Sequence, residues 1–365
     1  MSIRRIITLL LSAQVAILMA HVGLGHGVGV MTLLMLEGFD HVGAGANIYL
    51  KPNWSGGSGS TGAGRFGGLC SIIVAGATSR SVFYSFGTPV TTVIIGFAYL
   101  YSGGGTLTFM NLQTVASGTV ASFNLDATGH ILAKNSGGTT IGTGTTVINS
   151  GAWNYIEIKL FVNAGTPASG TVEVHVNGAV DIASTAGNFG STGVSKFGIS
   201  SNNSGQDHRW DDVYACDTVG AVTNTFLGDV RVATVYGTSD GAHTQWTPTG
   251  GGAHYTQVNE VTPDGDTTYV SDNTPGDLDS YGFGDIDGGA TVYGVQVNLY
   301  ARKDDAATRQ IAPVIRQAST DYVGNTQTLN TSYAFYNQLY EQDPTVANWT
   351  PVNVNADEFG VKEIA

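Results

Sequence analysis

The stretch Thr171-Val-Glu-Val-His-Val-Asn-Gly-Ala-Val-Asp-Ile182 admits one local fold. Val172, Val174 and Val176 recur at every second position, the period of a strand with one face inward. Asn177-Gly178 then supplies two residues that tolerate the positive φ angles of a type I′ turn, so a β-hairpin is expected here. A hairpin buries nothing alone, and the rest of the chain must supply its sheet.

The sequence before it does so. In Trp153-Asn-Tyr-Ile-Glu-Ile-Lys-Leu-Phe-Val162, residues Ile156, Ile158, Leu160 and Val162 fall on one face and Tyr155, Glu157 and Lys159 on the other, which predicts a half-buried antiparallel strand. Further β-rich runs lie at 69–74, 91–100, 106–112, 120–125 and 196–200. No helical period longer than one or two turns appears after residue 36. Glycine, 51 of 365 residues, is about twice as frequent as usual and falls singly or in short clusters between apolar runs, as turn punctuation. An all-β two-sheet sandwich over residues 31–220 is the expectation.

From about Thr223 a new series begins, with strands expected at 230–236, 254–261, 291–302, 309–316, 331–340 and 358–364. Lys303–Ala307 reads as the turn joining the third to the fourth. This makes residues 221–365 a second antiparallel sandwich. Charge marks the same boundary: residues 1–220 carry 9 Lys+Arg against 10 Asp+Glu, and residues 221–365 carry 6 against 18. A net charge of −13 disfavours nucleic acid or an anionic membrane surface as main partner.

Residues 1–30 form a hydrophobic extension, with Arg4-Arg5 ahead of an apolar run from Ile6. Three readings stand side by side: a secretory signal with a poor cleavage site, a membrane anchor, or an upstream extension of a chain whose natural start is Met31.

The densest knot of charge and aromatics in the first part is Asp207-His-Arg-Trp-Asp-Asp-Val-Tyr-Ala-Cys-Asp217. Its carboxylates are oxygen donors of the kind Ca²⁺ takes. Strict alternation instead makes it the closing strand of the first sandwich, with Trp210 and Tyr214 on one face, Val213 on the other, Cys216 inward and the acids mostly at the edge. A second acidic run, Asp264-Gly-Asp266, Asp277-Leu-Asp279 and Asp285-Ile-Asp287-Gly288, lacks the EF-hand spacing and reads as Asp-rich turns. Cys70 and Cys216 read as two buried strand thiols, a single bridge being open in an oxidising compartment.

No catalytic residue emerges. A retaining glycosidase needs two carboxyls roughly 5–5.5 Å apart, and neither strand pairs them: Lys159 follows Glu157 and His175 follows Glu173. A couple of Glu157 with Glu173 across neighbouring strands competes with two exposed polar faces, the plainer reading. Gly56-Gly-Ser-Gly-Ser-Thr-Gly62 reads as a flexible tract rather than a nucleophile elbow, and the histidines show no zinc spacing. Tyr333, Phe335, Tyr336, Tyr340 and Trp349 concentrate aromatics in the second sandwich, for core packing or as a sugar-stacking or protein-contact surface.

Glu37-Gly-Phe-Asp-His41, Trp153-Asn-Tyr-Ile-Glu157, the Val172–Gly178 hairpin and Asp211-Asp-Val-Tyr214, in this order, resemble the concanavalin A-like (laminin-G-like) jelly roll of tailed-phage virion proteins. The resemblance continues through 226–236, 244–248, 263–270, 301–305 and 355–362. It implies a jelly roll followed by a second β-sandwich, and a non-enzymatic tail, baseplate or fibre component with no resident cofactor, Ca²⁺ aside. The implied partners are other virion proteins, further copies of the chain and a host-surface glycan. The implied place is the phage tail, with no membrane partner for the mature chain. An exported carbohydrate-binding protein is the alternative.

Overall fold

The computed structural model describes residues 14–20, 32–46, 48, 51–57, 59–74, 80–103, 106–201, 207–220 and 222–365. Among them, the strands pair antiparallel and the one α-helix is the six-residue Pro351–Ala356, where the Asn353 N–H donates to Thr350 Oγ1 at 3.2 Å.

The first unit is the expected jelly roll, two sheets laid face to face. One sheet runs Ala179–Gly187, Gly170–Val176, Asn154–Phe161, Thr92–Tyr101, Asp207–Cys216, Leu69–Val74, Gly59–Ala63, with Leu33–Glu37 beside the far half of Asp207–Cys216. The other runs Thr140–Val147, His130–Lys134, Thr119–Leu125, Leu107–Gln113, Val194–Ser201, Arg80–Val90, Trp54–Gly56. Phe97, Tyr99, Phe109, Phe123, Ile158 and Leu160 fill the space between them. The predicted hairpin is present, with φ of 51° at Asn177 and 79° at Gly178.

Two expectations about this unit are corrected. Asn154–Phe161 is buried on both faces, because the second unit covers the side that carries Tyr155 and Glu157. The tract 56–62 contributes to two edge strands, Trp54–Gly56 and Gly59–Ala63. A Cβ at Gly59 would lie 2.8 Å from Val82 and 2.9 Å from Ile48, so this glycine permits close packing and does not mark a linker.

The second unit is one sheet bent back on itself. Its order is Thr320–Val323, Gln310–Gln317, Glu358–Glu363, Leu278–Phe283, Arg231–Thr244, Gln14–Ala20, Thr291–Ala301, Ala334–Tyr340. Arg231–Thr244 is the corner. Its first half pairs with Gln14–Ala20 and its second half, past register shifts, with Leu278–Phe283. Val295, Val297 and Leu299 from one layer meet Ile311, Ile315, Phe359 and Val361 from the other.

Three further corrections follow. The expected strand at 254–261 is a 3₁₀ turn, His254–Gln257, and then loop. Asp277-Leu-Asp279, taken for an acidic turn, leads into a central strand, Leu278–Phe283, in which His254 Nδ1 and the Tyr281 hydroxyl partner the fully buried Asp279. Thr291–Ala301 does not pair with Gln310–Gln317; the 303–307 turn carries the chain to the opposite layer, where Gln310–Gln317 pairs with Glu358–Glu363.

The leader, anchor and upstream-start readings of residues 1–30 fall, apart from Gln14–Ala20, outside the described residues. Among the described residues no helix is long and apolar enough to cross a membrane.

Candidate functional site

The Asp207–Asp217 knot sits where the two units meet, and a β-bulge decides its geometry. Asp212 takes φ of 51°, and the pairing with Thr92–Tyr101 shifts register between Asp211 and Tyr214. A bulge reverses which residues face inward beyond it. Trp210 and Val213 therefore both enter the sandwich core, whereas Tyr214 and Cys216 face the second unit. The expectation of Trp210 and Tyr214 on one face, Cys216 inward and acids at the edge fails for this reason: Asp211 and Asp212 are buried.

Each buried acid is occupied. Asp211 accepts the Arg65 N–H at 2.7 Å and the Asp212 N–H at 2.8 Å. Asp212 accepts Arg65 Nη1 at 3.0 Å and, from the second unit, the Val232 N–H at 2.8 Å. Arg65 extends the bridge to Asp229. Burial holds the carboxyls of Asp40, Asp211 and Asp212 above the usual range, against these hydrogen bonds and the nearby arginines. Asp207 pairs with Arg209 and Asp217 accepts the Val219 N–H.

Glu157 and Glu173 are not register partners. Glu157 stands opposite His175, and Glu173 opposite Lys159. Glu157 accepts the Tyr214 hydroxyl at 2.5 Å and the N–H groups of Leu227 and Gly228, both at 2.9 Å. Glu173 bonds His175 Nε2 at 2.9 Å, and the His175 ring stacks on Phe226. A third tie joins Glu341 to the N–H groups of Thr32 and Leu33 and to the hydroxyls of Thr32 and Thr223. Apolar packing of Leu33, Leu36, Tyr155, Tyr214, Val230 and Val232 closes the junction.

Sequence reasoning missed a buried group beside it. Lys51 and Glu37 form an ion pair, both almost wholly inaccessible, and His41 lies 3.8 Å from Glu37 with its ring edge-on to Phe335. Burial lowers the His41 pKa to about 3 and pulls the Lys51 ammonium well below its ordinary value. The signal was Glu37-Gly-Phe-Asp-His41 itself, two charges and a histidine closing an apolar run.

From Phe335 an aromatic row runs outward. Phe335 packs on Tyr300 at 4.6 Å between ring centroids, Tyr300 stacks on Tyr333 at 5.1 Å and 15°, and Arg302 lies over Tyr333 at 5.1 Å. The Tyr333 hydroxyl and Arg302 Nη2 both donate to the exposed Asp266. Burial and then Asp266 push the Tyr333 hydroxyl up, while Tyr333 and Arg302 hold the Asp266 carboxyl down. Of the aromatics singled out by composition, Phe335, Tyr336 and Trp349 are core and Tyr333 and Tyr340 are half-buried. Tyr300 completes the row as the cross-strand partner of Phe335, and Arg302, just past the last register pair Ala301↔Ala334, joins it by lying over the Tyr333 ring.

The other acidic pairs divide. Asp264-Gly265 makes a turn with φ of 72° at Gly265, and Asp287 accepts the Gly289 N–H, as expected of Asp turns. Asp279 is a strand residue. A cavity of about 380 Å³ opens beside Arg316, Gln317, Asn353 and Asp357, where burial raises the Asp357 carboxyl to about 7. Among the described residues no three or more His, Cys, Asp or Glu side chains are arranged to hold a metal ion.

No protein-family model and no curated protein matches the chain. Solved structures are similar over about half of it. A sialidase is 13% identical over 51% of this chain and 18% of its own, at a TM-score of 0.41. The alginate lyase of Aplysia kurodai is 12% identical over 51% and 99%, at 0.39. Lectin I of Ulex europaeus, in complex with a fucose methyl glycoside, is 12% identical over 50% and 96%, at 0.32. The chain thus spans under a fifth of the sialidase and nearly all of the other two.

Proposed function

We propose that this protein is a non-enzymatic structural component of a tailed-phage particle, in the tail, baseplate or fibre, acting through protein contacts. The ordered motifs resembling such proteins point to the particle. The observation that carries the contact role is the row Phe335, Tyr300, Tyr333, Arg302, anchored in the buried core at one end and half-exposed at the other. Tyrosine and arginine are the side chains that dominate protein contacts, and a row already locked by Asp266 loses little freedom on binding. The non-enzymatic reading is supported by Glu157, whose carboxylate is engaged by three donors at the junction of the units.

The test is mass spectrometry of purified particles, with the double variant Tyr300→Ser, Tyr333→Ser. The chain is expected in the particles, and the variant is expected to fold yet drop out of them. Absence of the native chain from particles overturns the reading.

An exported carbohydrate-binding protein is the second reading, favoured by the apolar amino-terminal run. Tyrosine and arginine edges beside a carboxylate also suit sugar hydroxyls. Glycan-array binding by the full chain, lost on Tyr333→Ser, together with recovery from the medium and not from particles, selects it.

A further inference from the structure

The strand Gln14–Ala20 comes from the far end of the chain and completes the second unit. It pairs on one side with Arg231–Tyr236, in register Gln14↔Tyr236 to Met19↔Arg231, and on the other with the first part of Thr291–Ala301, from Gln14↔Asn298 to Ala20↔Thr291. Those two strands do not pair with each other; the order of the sheet places Gln14–Ala20 between them. Lift it out, and two facing rows of backbone N–H and C=O groups are left about 10 Å apart, twice the spacing of neighbouring strands. The floor of that groove is apolar on the side of the second unit's core, with Val295 and Val297 buried and Val235 packed against them, and Val232 is buried on the opposite face. Paired rows of unsatisfied main-chain groups over an apolar floor are a strand-acceptor site.

The tie between this strand and its own first unit is long. Residues 21–31 separate Ala20 from Thr32 and carry glycine at 23, 25, 27 and 29. Twelve peptide steps reach up to about 40 Å, the scale of a whole sandwich. Every copy presents the same acceptor, a connection of this length is long enough to span to one, and closed exchange between copies adds no contact that the single chain lacks.

We propose that the groove between Arg231–Tyr236 and Thr291–Asn298 is a strand-acceptor site, filled in the assembled protein by the Gln14–Ala20 strand of a second copy of this chain. The exchange joins separate polypeptides by main-chain pairing alone, and its chemistry is that of an extended, apolar, proline-free segment pairing on both edges. It stands independently of the particle reading, since it concerns how copies join and not where they act.

Cysteine trapping in full-length chains tests it. Ala16 and Thr234 are direct register partners, and the native Cys70 and Cys216 are buried. Chains carrying Ala16→Cys are mixed with chains carrying Thr234→Cys, denatured and refolded together, then oxidised; the double variant in one chain controls for register. A cross-linked species of twice the chain mass in the mixture is the expected result. A bond in the double variant with no cross-link in the mixture shows that each chain keeps its own strand and overturns the proposal. No bond in either overturns the acceptor groove itself.

Discussion

The carboxylate of Glu157 accepts the backbone N–H of Leu227 at 2.9 Å, across 70 residues of sequence and across the boundary between the two sandwiches. The Gly228 N–H and the Tyr214 hydroxyl use the same oxygen. Glu157→Ala removes the shared acceptor from the buried Tyr214 hydroxyl and the half-buried Gly228 N–H, while the Leu227 N–H keeps the Tyr214 oxygen at 3.2 Å, at about 1–3 kcal/mol for the first and less for each further one. A loss of about 3 kcal/mol in urea denaturation is expected. Glu157→Gln keeps an acceptor oxygen and is expected to cost less than half of that. A glycan-cleaving carboxylate would behave oppositely, with the glutamine variant stable and its turnover gone.

Gly96 lies directly opposite Tyr214, and a Cβ there would come within 2.0 Å of the tyrosine ring. The ring is laid across the glycine and so reaches Glu157. Gly96→Ala is expected to displace it, break the bond to Glu157 and lower stability by about 2–4 kcal/mol, since an overpacked core and a lost buried hydrogen bond add. Combining it with Glu157→Gln should cost less than the sum of the two, because both act on one contact.

How much of this was legible follows period and chemistry. The Asn177-Gly178 turn and the alternating valines before it are local, and the structure matches them residue by residue. The bulge at Asp212 is not local: an aspartate held at positive φ by Arg65 and Val232, distant in sequence, shifts Tyr214 and Cys216 to the outer face. Leu278–Phe283 was hidden because Asp279 breaks its apolar pattern, and only the fold brings His254 to partner it. The aromatic row was half visible, since clustering named Tyr333 and Phe335, whereas Tyr300 joins through cross-strand pairing and Arg302 by lying over Tyr333.

The cysteines give a chemical test of the bulge. Ser71 stands opposite Trp210, so Cys70 lies near Asp211, and Cys216 is farther along the same strand by roughly 15 Å. A disulfide needs Cα atoms within about 7 Å. Both thiols are free and buried, Cys70 raised to about 12 and Cys216 also raised, burial leading in each case. Ellman titration of the native protein under non-reducing conditions is expected to find no reactive thiol, and the same protein in guanidinium to find two. One thiol exposed upon mild denaturation of the native chain, and none in Cys216→Ser under the same conditions, would place Cys216, at the junction, in the first region to open.

Glu363 sets the pH dependence at the opposite end of the molecule. It is fully buried at the end of Glu358–Glu363, neither carboxylate oxygen has a hydrogen-bond partner, and burial raises its pKa to about 8, with Asp272 adding to the shift and Arg309 opposing it. Between its unfolded value near 4.5 and about 8, the folded chain holds a proton that the unfolded chain releases, so stability falls as pH rises through that window. Asp357, raised to about 7, acts in the same direction. His41 and His208, lowered by burial to about 3 and about 4, act oppositely, but only below about pH 6.5, where the unfolded histidines take up protons. Above pH 6.5 the histidine contribution is gone, but Lys51, whose ammonium burial pulls well below its ordinary value, has released in the fold a proton that the unfolded chain keeps, and so opposes the carboxyls. The Glu363 part, about 1 kcal/mol between pH 6.5 and 8 after solvent screening, is therefore read as the difference between the native chain and Glu363→Gln. Glu363→Gln removes the charge and keeps the shape, so it is expected to melt higher than the native chain at pH 8, to match it near pH 4.5, and to flatten the slope between; equal slopes in the two proteins would show that Glu363 is already ionised in the fold.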